Sequence, residues 1–169
     1  TLWSLPSNLR LESAVPVPFA AILIANRGEI AIRIANACAD LGLRSVGVYA
    51  EDDQACLHTR LVDEAVALPG RGVPAYLDGA QLIAVARKQG CEAIHPGYGF
   101  LAENAEFAEQ CEEAGLTLIG PGAETLRLFG DKAAARALAV RCQVPLVQGT
   151  EQAVTLEEAQ AFMASLDGS

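Results

Sequence analysis

From Phe19 to Gly122 the chain alternates short apolar runs with amphipathic segments of helical period, and only a few residues join them. Few folds accept that alternation. Phe19 to Ala25 is an apolar run ending at Asn26-Arg27-Gly28, the pattern of a fully buried first strand. Glu29 to Leu41 follows with apolar residues at Ile30, Ile34, Ala37, Cys38 and Leu41, the spacing of one helix face, and stops at Gly42. Further strands are expected at Arg44 to Ala50, Glu64 to Leu68, Cys91 to His95 and Leu116 to Ile119. Asp52 or Asp53 can cap a short helix running to about Arg60. Longer helices are expected at Asp78 to Gln89 and Glu103 to Ala114, closed by Gly90 and Gly115. Connections this short imply an α/β fold: a doubly wound, Rossmann-like parallel sheet with helices on both faces.

After Gly122 the strands stop. Helical runs are expected at Ala123 to Phe129 and Asp131 to Arg141, hinged at Gly130, then an extended piece from Val144 to Val147. Thr155 and Glu158 have capping-box spacing at the start of a last helix reaching Leu166, and Asp167-Gly168-Ser169 is a turn signal. Thr1 to Pro18 hold Pro6, Pro16 and Pro18 and show no period, as a linker or artificial tail would. The organisation expected is therefore a tail over 1–18, one domain over 19–150, and over 151–169 the truncated start of a linker or next domain.

At 169 residues and 51% hydrophobic, the chain has room for one domain with a real core. Its net charge of −9 argues against nucleic acid or an anionic membrane as the main partner, since both need a basic patch. The five cysteines are odd in number and form no CxxC pair, which argues against a disulfide framework or metal cluster. Cys38, Cys91 and Cys111 fall within apolar patterns and read as reduced core residues. No apolar run approaches the ~18 residues of a membrane span, and the N-terminus lacks the features of a secretory signal.

The segment His95-Pro96-Gly97-Tyr98-Gly99-Phe100-Leu101-Ala102-Glu103-Asn104 joins a strand to a helix. Such a loop lies at the carboxyl edge of a parallel sheet, where ligands bind. It either faces a ligand with His95 and Tyr98 or is a plain β-to-α turn. The Asn26 to Glu29 turn occupies the place of a dinucleotide phosphate loop but has Gly28 alone in place of GxGxxG. Glu51 and Asp52 stand where a ribose-binding acid would. The favoured reading is an edge that no longer binds a dinucleotide.

Gly130-Asp131-Lys132 starts a helix with a lysine, which the helix dipole disfavours unless an anion sits there. Lys132 is either an anion ligand or a surface lysine. No Walker loop, G-x-S-x-G elbow or HExxH is present. Glu112-Glu113 and Glu157-Glu158 read as solvated helix faces.

Three segments together resemble one family. Ile22-Leu23-Ile24-Ala25-Asn26-Arg27-Gly28-Glu29-Ile30-Ala31 is similar to the opening of biotin carboxylase. His95 to Asn104 resembles its HPGYGFLSEN signature, with Ala102 where serine is usual. Ile119-Gly120-Pro121 through Gly130-Asp131-Lys132 resembles its IGP…GDK segment. The match runs in order from about Phe19 to Thr150.

The resemblance implies the N-terminal, pre-ATP-grasp domain of an enzyme that activates bicarbonate with MgATP and carboxylates biotin on a carrier protein. It implies that Lys132 contacts the ATP phosphates. It also implies that Tyr98, with His95, Gly97 and Gly99, walls the biotin and bicarbonate pocket. Arg33 matches an arginine at a homodimer interface, while Asn36 and Asp40 stand where other interfacial charges fall. The implied partners are the ATP-grasp and C-terminal parts of biotin carboxylase, a biotin carboxyl carrier domain and a carboxyltransferase. The implied location is cytoplasmic, or the mitochondrial matrix in a eukaryote.

The family's glycine-rich lid, metal-binding glutamates and bicarbonate-binding arginine fall beyond Ser169, so no catalytic residue and no metal ligand is expected here. The chain alone is expected to be inactive. An equivalent domain of a carbamoyl-phosphate synthase-like enzyme and a non-catalytic assembly module are the alternatives. The lone Gly28 disfavours a third, an NAD-binding domain.

Overall fold

A computed structural model of the protein describes residues 18–149 and 154–166. The expected tail up to residue 17, Thr150 and the closing turn at 167–169 lie outside the described residues. Five strands form one sheet: β1 (Ala21–Ile24), β2 (Arg44–Tyr49), β3 (Glu64–Ala67), β4 (Ala93–His95) and β5 (Thr117–Leu118). Their order is β3-β2-β1-β4-β5, and every pairing is parallel. The chain therefore winds outward from β1 in one direction, returns to the centre and winds out in the other. The doubly wound sheet expected from the sequence is what forms.

Alternation along the strands sorts their side chains onto opposite faces. Leu23, Val46, Val48 and Ile94 pack with Leu82 and Ala86 of α2 (Gly79–Lys88) and with Phe107 and Cys111 of α3 (Ala105–Glu113). Ile22, Ile24 and Ala93 meet Ala31, Ile34, Ala35 and Cys38 of α1 (Gly28–Leu41). Cys38, Cys91 and Cys111 are buried free thiols, as their apolar setting predicts. A Cβ on Gly79 would lie 2.8 Å from the Phe107 ring, so only glycine lets α2 begin this close to α3.

Several elements differ from expectation: β4 starts at Ala93 rather than Cys91, β5 covers only Thr117–Leu118, α3 starts at Ala105 rather than Glu103, and Val73–Leu77 adds a 3-10 turn. β1 is shorter than the apolar run, because Phe19 and Ala25 lie outside its ladder. The helix expected from Asp52 to Arg60 is broken into 3-10 turns at Glu51–Asp53 and Leu57–Arg60. Val144 to Val147 takes no regular secondary structure and joins no strand.

The faces are also unequally covered. Among the described residues, α1 is the one α-helix on its side, and an apolar groove of about 440 Å³ runs along β1, walled by Phe19, Ile22, Ile34, Leu41 and Ile119.

Beyond the sheet, α4 (Ala123–Gly130) leans on α3, where Arg127 and Glu109 form an ion pair. Asp131 ends α4 and caps α5 (Lys132–Arg141), its Oδ1 accepting from the N–H groups of Ala133 (2.9 Å) and Ala134 (3.1 Å). The capping box at α6 (Leu156–Leu166) forms as expected: Thr155 N–H donates to Glu158 Oε2 (2.8 Å) and Glu158 N–H to Thr155 Oγ1 (3.3 Å). No described helix is long and apolar enough to cross a membrane.

Candidate active-site wall at the carboxyl edge

The carboxyl ends of β1, β2 and β4 deliver three turns to one edge of the sheet, and side chains lock them together. Asn26, buried at the end of β1, reaches across to the loop after β4. Its Nδ2 donates to Pro96 O (2.7 Å) and to Tyr98 O (3.0 Å), while its Oδ1 accepts from Arg27 N–H (2.9 Å). One amide thus satisfies two carbonyls of the His95–Asn104 loop and anchors the first turn. Gly97 has φ +68°, and a Cβ there would lie 2.8 Å from Asn26 Nδ2. Glycine is needed both for the left-handed backbone and for the close approach.

His95 closes the amino end of the loop. Its Nδ1 accepts from Gly97 N–H (3.0 Å), which assigns the proton to Nε2. Burial pushes its pKa below the ordinary value, favouring the neutral ring. Between these fixtures Tyr98 is 66% exposed, and its phenol is displayed. His95, Gly97 and Tyr98 line the apolar groove; Gly99 lies outside it, at φ +64° with open space where a Cβ would be.

A second network lies beside the first. Asp53 Oδ2 accepts from Arg27 Nη1 (3.0 Å) and from the Tyr76 hydroxyl (2.7 Å), and Asp53 Oδ1 from Cys56 Sγ (3.4 Å). Burial acts to raise the Asp53 pKa, but bonds from Tyr76, Arg27 and Cys56 outweigh it and the net shift is downward. The Tyr76 hydroxyl also accepts from Ala50 N–H (3.1 Å), and burial before all else raises its pKa. His58 is buried beneath the first turn, its Nε2–H donating to Val48 O (3.2 Å) and its Nδ1 accepting from Gly28 N–H (3.4 Å), a distant cap for α1.

Asn26, Arg27, Asp53, His58 and Tyr76 bond across the site; the sequence marks the Asn26–Glu29 turn but gives no site role to Asp53, His58 or Tyr76. Glu51 and Asp52, in the ribose-acid position, instead accept from the N–H groups of Gly70 (3.4 Å) and Gly72 (2.8 Å). They pin the turn after β3.

Lys132 is exposed in the first turn of α5. It enters neither network, and no described side chain forms an ion pair with it. Arg33 is exposed on α1 with Asn36 and Asp40. Among the described residues no group of three or more His, Cys, Asp or Glu side chains could hold a metal ion. The described residues therefore offer no carboxylate cluster of that size to magnesium.

The sequence model of the family described as "Biotin carboxylase, N-terminal domain" matches residues 18–126. The mitochondrial pyruvate carboxylase of Mus musculus is 48% identical over 161 residues, covering 93% of this chain and 13% of that protein. Among solved structures, the biotin carboxylase domain of a single-chain bacterial carboxylase is 57% identical with a TM-score of 0.83, over 88% of this chain and 34% of that one. The biotin carboxylase domain dimer of Hydrogenobacter thermophilus 2-oxoglutarate carboxylase, in complex with MgADP, ADP and bicarbonate, is 41% identical with a TM-score of 0.83. There 87% of this chain and 33% of that one are covered. The chain belongs to the biotin carboxylase N-terminal domain family. It spans about an eighth of the mouse relative and about a third of the solved domains.

Proposed function

We propose that residues 19–150 form one wall of a biotin carboxylase active site, with 1–18 preceding that domain and 151–169 opening the next part of the enzyme. The reaction is MgATP-dependent carboxylation of biotin on a carrier protein, with bicarbonate as the carbon source. The observation that carries the reading is the displayed Tyr98. A loop held at Pro96 O, Gly97 N–H and Tyr98 O presents an exposed phenol at the sheet edge where this fold takes ligands.

In this reading Tyr98, His95, Gly97 and Gly99 bound the biotin and bicarbonate pocket and exclude water from one side of it. Biotin, when bound, supplies the ureido nitrogen that accepts the carboxyl group. The Lys132 ammonium holds ATP phosphates. Among the described residues it has no ion-pair partner, while Asp131 already takes the first free N–H groups of α5, so the lysine carries the anion contact. Magnesium, the lid and further cationic groups would come from the remaining parts of biotin carboxylase. Phosphoryl transfer depends on such clamped metal and charge, so the chain alone is inactive. The partners are those remaining parts, the carrier domain and a carboxyltransferase, with Arg33 on α1 offered to a second copy. The reading carries a cytoplasmic or mitochondrial-matrix location, and the mouse relative's mitochondrial name supports the latter.

The test is a hybrid in which this chain replaces the equivalent segment of the 57%-identical bacterial domain. The expected result is bicarbonate-dependent carboxylation of free biotin. Tyr98→Ala should raise KM for biotin about tenfold with KM for ATP unchanged, and Lys132→Ala should do the reverse. An inactive hybrid that folds, or variants that shift neither constant, would overturn the reading. So would bicarbonate-dependent ATP hydrolysis by the 169-residue chain alone.

A further inference from the structure

The loop that displays Tyr98 is held at its amino half by Asn26 and His95. Its carboxyl half depends on a different contact. Phe100 takes φ +45°, a left-handed backbone that a phenylalanine adopts only where its surroundings impose it. The Phe100 ring stacks on Tyr76, with centroids 5.4 Å apart and planes 10° from parallel. Tyr76 is fully buried and cannot turn freely: its hydroxyl donates to Asp53 and accepts from Ala50 N–H. Arg27, which grips Asp53, also places its guanidinium 5.6 Å from the Tyr76 ring centroid. Asn26 and Arg27 are adjacent, so one turn after β1 holds both halves of the loop. Asn26 does so directly, and Arg27 through Asp53, Tyr76 and Phe100.

We propose that Tyr76 is a positioning residue for loop 96–101. Stacked on Phe100 and anchored by Asp53, it sets where Tyr98 stands. The proposal rests on the functional reading above for its catalytic consequence, but its structural half stands alone. Tyr76 touches no reacting group. It acts by holding Phe100 in a backbone state that would otherwise relax and carry Tyr98 away from its place.

The structural half is tested by hydrogen exchange in the 169-residue chain. The probes are the amides of Gly97, Ala102 and Asn104, which donate to His95 Nδ1, Gly99 O and Leu101 O. Tyr76→Leu removes the stack, and Tyr76→Phe keeps it but frees the ring from Asp53. Ala86→Gly is the control, lying on α2 where its carbonyl bonds Cys91 N–H at the opposite end of β4.

Tyr76→Leu should speed exchange at the three loop amides about tenfold more than Ala86→Gly does at matched Tm, with Tyr76→Phe between them. In the hybrid enzyme, Tyr76→Leu should raise KM for biotin several-fold while kcat holds. Its effect should not add to that of Phe100→Leu. If Tyr76→Leu does not fold, Tyr76→Phe carries the same comparison. Loop exchange no faster than in the control, or additive effects on KM, would overturn the proposal. A wild-type hybrid that carboxylates no biotin would defeat the functional reading, while the exchange result still decides the coupling.

Discussion

At the residue scale the sheet edge hangs on a few atoms, and Asn26 has the most bonds to lose. Removing its amide leaves Pro96 O and Tyr98 O without their donor. An unsatisfied buried group costs more than the net value of the bond it made, so Asn26→Ala should destabilise the chain by about 2–3 kcal/mol. The midpoint of urea unfolding reads this directly; a change below 0.5 kcal/mol would show that water replaces the amide at little cost. Gly97→Ala should be damaging as well, from the 2.8 Å approach to Asn26 Nδ2 and the positive φ together. Acid should act first through His95. Its pKa is lowered from 6.5 by burial, so the unfolded chain binds the proton more readily than the folded one. The stability His95 contributes is complete above pH 6.5 and is lost as pH falls below it towards the folded pKa. Asp53 and Asp63, both lowered from 3.8, add to the loss only as pH drops below that value. Unfolding free energies measured between pH 7 and 5 should show the His95 slope. His95→Asn, which keeps an acceptor near Nδ1, should flatten it.

At the scale of elements, α5 leans heavily on its cap. None of its residues is fully buried, so its cap holds a larger share of its stability than packing does. Asp131→Ala should cost about 1 kcal/mol, felt as faster exchange at Ala135 and Cys142 with the sheet amides unchanged. Element boundaries were largely legible in the sequence, because period and stop signals are local. Ile30, Ile34, Cys38 and Gly42 announce α1, and Thr155 with Glu158 announces α6. The resemblance likewise rested on contiguous motifs and led to the right family. The networks of the site were not legible. Asn26 meets Pro96 and Tyr98, Asp53 meets Tyr76, and Gly28 meets His58 across long stretches of chain. No periodicity encodes such pairings. The break between Glu51–Asp53 and Leu57–Arg60 has the same origin, since Asp53 turns to Arg27 and Tyr76 while His58 turns under α1.

At the scale of the whole molecule, the unequal covering of the sheet is the feature with the widest reach. Among the described residues, an apolar groove of about 440 Å³ beside α1 leaves part of one sheet face open. The 169-residue chain should bind an apolar dye such as anilinonaphthalene sulfonate. Ala37→Glu on the exposed wall should remove most of that fluorescence without lowering Tm; an unchanged signal would locate the dye elsewhere. The strand order has a consequence of another kind, for synthesis. β1 comes first of the strands yet lies at the centre, between β2 and β4. On a ribosome its Ala-Ile-Leu-Ile stretch is finished long before His95 exists to close its second side. At 5–20 residues per second that delay is roughly 4–14 s. Throughout it the innermost strand of the finished protein is an unprotected sticky edge of the nascent chain. A holding chaperone at the exit tunnel would find its client there.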